Sequence, residues 1–227
     1  MADSEPEPGV GLGASPHRSR LVKELCKVKK EARFYTINGQ RFPSVTTVLG
    51  AVRSLALEHW RGELGNIEAD RQMEEAADIG KAVHRLCHAY NIGQSFVIPD
   101  GIVGELFSAY RGWFAGNVDR VVSAEKVVAS RKYRYAGTAD LLAIMKGDTV
   151  PAVIDIKCTG GFWPTMPLQL AGYREAALEE GRQVDRRLIV RLDKSELGLL
   201  QVKDYTEHAR DFNAFLCALG LFRYLNM

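Results

Sequence analysis

The chain has 227 residues, of which 46% are hydrophobic and 26% charged, and a formal net charge of +2. These values allow one large domain of ordinary soluble composition and exclude a protein that holds nucleic acid by bulk charge; any phosphate-binding surface must come from local clusters of Lys and Arg. No apolar run is long enough to span a membrane, so a membrane is not an expected partner. The four cysteines (Cys26, Cys87, Cys158, Cys217) form no C-x-x-C pair and follow no secretory leader, so they read as reduced thiols in a cytoplasmic setting.

Residues 1–17 are rich in Pro, Gly, Ser and Glu and read as a disordered tail ahead of a single domain over 18–227. Their acidity argues against an Arg-rich transit peptide. A basic stretch, RSRLVKELCKVKK, follows at 18–30. RFYTINGQRF reads as a hairpin with Asn38-Gly39 as its two-residue turn, because these residues tolerate the positive φ that such a turn needs. Ser44, between Pro43 and the VTTVL run, predicts a helix N-cap. Over 53–118 apolar residues recur at helical spacing: Ile67, Met73, Ala76, Ile79, Val83, Leu86, Cys87 and Tyr90. NIGQSFVIPDG separates this stretch from a helix at about 101–116. Residues 121–157 change to β-branched runs divided by turn residues and predict three strands. PLQLAGYREAALEEG predicts a helix stopped by Gly181, RRLIVRLD and LGLLQVKDY two more strands, and HARDFNAFLCALGLFRYL a closing helix. This order makes an α/β (α+β) domain with a mixed sheet that includes a three-stranded antiparallel meander flanked by helices.

The three strands can be set against one another by counting. With Gly147-Asp148 as a two-residue turn, Lys146 pairs with Thr149, and Asp140 falls opposite Asp155. With Lys132-Tyr133 as the preceding turn, Arg131 pairs with Arg134, and Glu125 falls opposite Asp140. Directly opposed residues stand about 5 Å apart at Cβ, and like charges that close are destabilising unless a cation sits between them. Lys157 lies two residues beyond Asp155 and shares its face. Such a cluster suits a hard divalent cation, Mg²⁺ first, which takes carboxylate oxygens and substrate phosphate together. The backbone carbonyl of Ile156, between the two functional side chains, is a further candidate ligand. Taken singly, each acid reads equally as a solvated strand residue.

YAGTADLLA, VIDIKCT and QLAGY, with Gly80-Lys-Ala-Val-His84 upstream, resemble the RecB-like branch of the PD-(D/E)XK nucleases. That branch carries G-x-x-x-H, G-x-x-D, D-x-K and Q-x-x-x-Y in this order. PSVTTVL at 43–49 is similar to the start of phage exonucleases and mitochondrial genome-maintenance exonucleases, and the likeness extends over about 35–205. The resemblance implies a restriction-endonuclease-like core with an N-terminal helical elaboration. It implies Asp140, Asp155 and His84 as metal ligands, Lys157 as the catalytic lysine, and Glu125 beside the metal through water. Gln169 and Tyr173, one helical turn apart, would face the site and the DNA, and Ser44 would touch a terminal phosphate. Mg²⁺ would be the cofactor, with Mn²⁺ able to substitute. Some members hold an iron–sulfur cluster with one early and three late cysteines; only Cys217 lies late here, so no cluster is expected.

Each residue also has a plainer reading: His84 a core histidine, Gln169 an exposed helix residue, Tyr173 simple core, Ser44 only a cap, Gly80 a contact between helices, Gly137 a turn glycine or a point of close approach to DNA. Arg131, Lys132 and Arg134 at a hairpin tip offer one phosphate path, and Lys23, Lys27, Lys29 and Lys30 another; Trp163 in GGFWP offers a base-stacking platform or a packing plug. The expected function is a metal-dependent DNA exonuclease of replication, recombination, repair or end processing, encoded by a bacterium or phage. Its substrate would be single-stranded DNA or DNA with a free end, with a single-strand-binding or annealing protein as a possible partner. A structure-specific endonuclease and a non-catalytic nuclease-like DNA-binding module are the alternatives.

Overall fold

The computed structural model of the chain describes residues 33–52 and 54–226. The expected tail and the basic stretch at 18–30, with Lys23, Lys27, Lys29 and Lys30, lie outside the described residues. Strands β1 (Phe34–Ile37) and β2 (Gln40–Pro43) pair antiparallel with Ile37 opposite Gln40. Between them Asn38 (φ 49°) and Gly39 (φ 76°) form the two-residue turn, both at positive φ. Ser44 then caps α1 (Val45–Leu49), its Oγ accepting the Thr47 N–H at 3.0 Å.

Helices α2 (Leu55–Leu64), α3 (Asn66–Asn91) and α4 (Ile102–Asn117) follow. The periodic stretch on α3 is only half a core face. Val83 and Cys87 are buried, but Ile67 is 87% exposed and Met73 41% exposed, against expectation. Local pairs of charges take the place of packing there: Arg71 contacts both Glu68 and Glu75, and Arg61 of α2 holds Asp70 at 2.7 Å. The apolar spacing extends into a part of the helix that meets no sheet.

The main sheet has the order β3 (Val118–Ser130), β4 (Tyr135–Met145), β5 (Ala152–Cys158), β6 (Arg187–Leu192), β7 (Leu200–Asp204). All neighbours are antiparallel except β5 and β6, which run parallel and are joined through α5 (Thr165–Glu179). This is a mixed five-stranded sheet flanked by helices. One face packs on α1, α5 and the closing helix α6 (His208–Leu225), with Val45, Tyr135, Val153, Leu170, Ile189 and Phe215 in its core. The other packs on α3 and α4, with Val83, Phe107, Tyr110, Ile154, Ile156 and Val190.

Both counted turns differ from expectation, yet both registers hold. β3 and β4 separate at Ser130 and Tyr135, leaving residues 131–134 as the tip in place of a Lys132-Tyr133 turn. The tip does not close by itself: Glu179 of α5 accepts the N–H groups of Arg131 (2.8 Å) and Lys132 (2.9 Å). The pairing of β4 with β5 ends at Ala143 and Ala152, leaving 144–151 as the connection, with Gly147 at φ 87°, in place of a tight Gly147-Asp148 turn. Each loop is longer by equal numbers on its two sides, so the pairing is unchanged.

Candidate active site

Leu141 pairs with Ile154 in the β4–β5 ladder, and one step further along that register Asp140 stands opposite Asp155. There a side chain replaces the main-chain ladder: the Ile156 N–H donates to Asp140 Oδ2 at 2.8 Å. On the other side, the pairs Ala124–Leu141 and Lys126–Ala139 bracket Glu125 and Asp140. Glu125 sits within strand β3 at φ 49°. A left-handed non-glycine residue costs on the order of 1–3 kcal/mol and persists only where the surroundings impose it.

His84 reaches this point from α3, its Nδ1 3.5 Å from Asp140 Oδ2. His84, Glu125 and Asp140 each offer one ligand atom, and the three atoms lie within 4.8 Å of one another. An imidazole with two carboxylates is a donor set for a divalent cation with oxygen preference and tolerance for nitrogen. The trio differs from the expected row of three carboxylates, because Asp155 is committed elsewhere. Its Oδ2 lies 2.6 Å from Lys157 Nζ, and its Oδ1 accepts from Gln169 Nε2 at 2.8 Å. The same Gln169 nitrogen lies 3.0 Å from Tyr173 Oη.

Asp155 is 1% exposed. Burial pushes its carboxyl up to about 6; the Asp140 carboxylate adds to the rise, while the Lys157 ammonium and His84 oppose it. For Lys157 burial acts downward, but the carboxylates of Asp155 and Asp140 outweigh it and hold the ammonium above the ordinary lysine value. Lys157 is therefore a fixed cation whose side chain keeps 23% of its surface open.

Gly137 has a definite reason to be glycine. A Cβ there would stand 2.4 Å from Tyr173 Cε1, so the bare backbone makes the notch that seats the Tyr173 ring. The ring of α5, not DNA, occupies that approach, and the hydrogen bond to Gln169 makes Tyr173 more than filler. Gly80, expected as a contact between helices, faces open space.

Three neighbours carried no signal in the sequence. Tyr35 Oη lies 2.8 Å from Thr138 Oγ1, and Arg33 reaches the same hydroxyl at 3.4 Å while its guanidinium covers the Tyr35 ring. Thr138 precedes Asp140 by two residues, so the β1–β2 hairpin brings a guanidinium and a phenol beside the acids. Only long-range packing of that hairpin could reveal them.

Other expected site residues are placed apart. Arg131, Lys132 and Arg134 lie at the far end of β4, roughly 20 Å along the strand from Asp140. Ser44 is buried and its hydroxyl is occupied by Thr46, Thr47 and the cap, so the plain capping reading accounts for it. Ile156, by contrast, stays within the site, where the group it brings to Asp140 is its N–H and not the carbonyl expected as a ligand. Trp163 is 48% exposed in the loop after β5, so about half of its surface is open to a ligand.

No protein-family model matches the sequence, and no curated protein is similar enough to count as a relative. Among solved structures, one titled "Crystal structure of SSO0001" shares 15% identity, with 92% of this chain and 83% of that chain covered and a TM-score of 0.44. A likeness of that degree carries no argument about this chain.

Proposed function

We propose that the chain is a metal-dependent deoxyribonuclease with a restriction-endonuclease-like core of the RecB-like type, acting on DNA with a free end. The observation that carries this reading is the junction of two built groups at one point in the sheet: the His84–Glu125–Asp140 donor trio and the buried Asp155–Lys157 pair. Neither group is explained by stability. Glu125 holds a strained backbone beside a like charge, and Asp155 is buried against its own preference for water. Sites that store such costs are candidates for chemistry.

His84, Glu125 and Asp140 would hold the cation, with Asp155 next to them. Mg²⁺ or Mn²⁺ would there polarise the phosphodiester, lower the pKa of a bound water and neutralise the leaving oxygen. Asp155 keeps Lys157 charged and aimed, so Lys157 binds the developing negative charge of the phosphoryl group as a compact donor rather than accepting a proton. Gln169 fixes the Asp155 carboxylate from α5, and Tyr173 fixes Gln169.

The test uses end-labelled linear and circular single-stranded DNA, each with Mg²⁺, Mn²⁺ or EDTA. Metal-dependent loss of the linear strand alone is the expected result. Cutting of the circle would assign an endonuclease. DNA retarded in a gel but never cut would leave a binding module and refute the proposal.

A further inference from the structure

The loop after the Lys157 strand is held by a tie that its own composition, Thr-Gly-Gly-Phe-Trp-Pro, does not supply. Arg191 supplies it. This buried guanidinium neighbours Lys157 in the parallel register. It donates to the Thr159 carbonyl (2.9 Å), to Asp193 Oδ2 (2.7 Å) and to Gln201 Oε1 (2.7 Å), and it covers the Phe162 ring at 5.4 Å. Lys203 stands 5.5 Å from the same ring. Thr159 closes the loop on itself through the Gly161 carbonyl. Trp163 is pinned through its backbone, its carbonyl accepting the Met166 N–H at 3.0 Å as α5 begins. The indole nevertheless remains half in solvent.

A buried guanidinium whose bonds are all made inside the protein is costly, and such a cost has a use when one of those bonds holds a loop that must present something. What this loop presents is an exposed indole next in the chain to the Phe162 ring, over which Arg191 and Lys203 stand. A rigid exposed ring amid cations is the arrangement that takes unpaired bases: the ring stacks on a base face, and the cations follow the phosphates. A paired base offers no free face to it.

We infer that Trp163 is a stacking site for a single-stranded DNA base next to the scissile position, and that Arg191 is its positioning residue. The inference deepens the nuclease reading above by naming single-stranded DNA as the substrate class, and in that respect it rests on that reading.

The experiment uses the full chain in EDTA, titrated with an oligo(dT) strand and with the matching duplex, following tryptophan emission and the anisotropy of labelled DNA. The single strand should quench the emission, and Trp163→Ala should remove the quench. Trp163→Ala should weaken single-strand binding about tenfold while duplex binding changes less than about twofold. Arg191→Lys keeps the indole and the charge but not the forked bonds, and should lose the same discrimination between strand and duplex. Trp163 is exposed, so its replacement leaves the fold intact and decides the matter even if Arg191→Lys is unstable. Unchanged single-strand affinity in Trp163→Ala, or a quench that persists in it, overturns the inference. Quenching by a protein that never cuts with Mn²⁺ keeps the stacking site and sinks the nuclease reading; cutting without a Trp163-dependent quench does the reverse.

Discussion

Replacing Glu125 with glycine should make the metal-free protein more stable while weakening its hold on a cation. Glu125 occupies φ 49° in the middle of β3, opposite Asp140. Relief of a left-handed non-glycine conformation contributes about 1–2 kcal/mol. The extra freedom of glycine in the unfolded chain takes back about 0.5–1 kcal/mol. The net gain is about 1 kcal/mol, which for a domain of this size raises Tm by about 2–4 °C. Loss of the repulsion from Asp140 adds to the gain in the same direction. In the wild-type protein a cation at one hundred times its Kd stabilises by about 2.7 kcal/mol, and Glu125→Gly should lose much of that increment. Thermal melts in EDTA and over a Mn²⁺ series measure both quantities. Glu125→Gln separates them, since it keeps the strained backbone and removes the charge: its melt in EDTA should rise only by the relief of repulsion, less than that of the glycine variant, and its Mn²⁺ shift should shrink. A glycine variant that melts lower in EDTA, or that keeps the full Mn²⁺ shift, would refute the link between backbone strain and the donor trio.

Asp155 predicts an inverted pH dependence. Its folded pKa, about 6, lies above the unfolded value of about 3.9. The resulting cost to the metal-free fold is fully present above pH 6 and is relieved as pH falls toward 4, by up to about 1.4 kcal/mol per pH unit. Urea melts of wild type against Asp155→Asn in EDTA should show the difference in slope over that window, and parallel profiles would return Asp155 to an ordinary carboxyl. Gly137→Ala would force the Tyr173 ring off its seat, at about 1–3 kcal/mol, and reduce cleavage by disturbing Gln169; an unchanged Tm would show that the ring has room to move. Because His84 adds a nitrogen to the donor set, activity should appear at lower Mn²⁺ than Mg²⁺, and His84→Ala should narrow the gap. Equal gaps in both proteins would make His84 a core residue.

The registers that bring Asp140 in line with Glu125 and Asp155 are legible from counting alone, although both connections are longer than the two-residue turns that the count assumes. Long strands such as YAGTADLLAIM, buried on both helix-covered faces of the sheet, hold their pairing, and a loop lengthened evenly on both sides leaves it intact. His84 was legible only through its pattern with Gly80, since nothing local separates it from His88 one turn on. The trio itself was not legible: the commitment of Asp155 to Lys157 and Gln169 depends on where α5 sits. The φ of Glu125 and the approach of Arg33 and Tyr35 to Thr138 are likewise products of packing, with no trace in composition or spacing. The tip cations Arg131, Lys132 and Arg134 carried a strong local signal in the wrong place, because charge clustering says nothing about distance along a strand.

The Asp140 carboxylate does the work of a main-chain carbonyl, taking the Ile156 amide where the two strands part. An alanine at that position would leave an interior amide without an acceptor, so loss of activity in that variant would be confounded with loss of the fold. Asparagine keeps an oxygen for the amide and removes only the negative charge. A silent yet intact form of this protein is therefore reached through Asp140→Asn, and that is the version in which a bound strand could be captured whole.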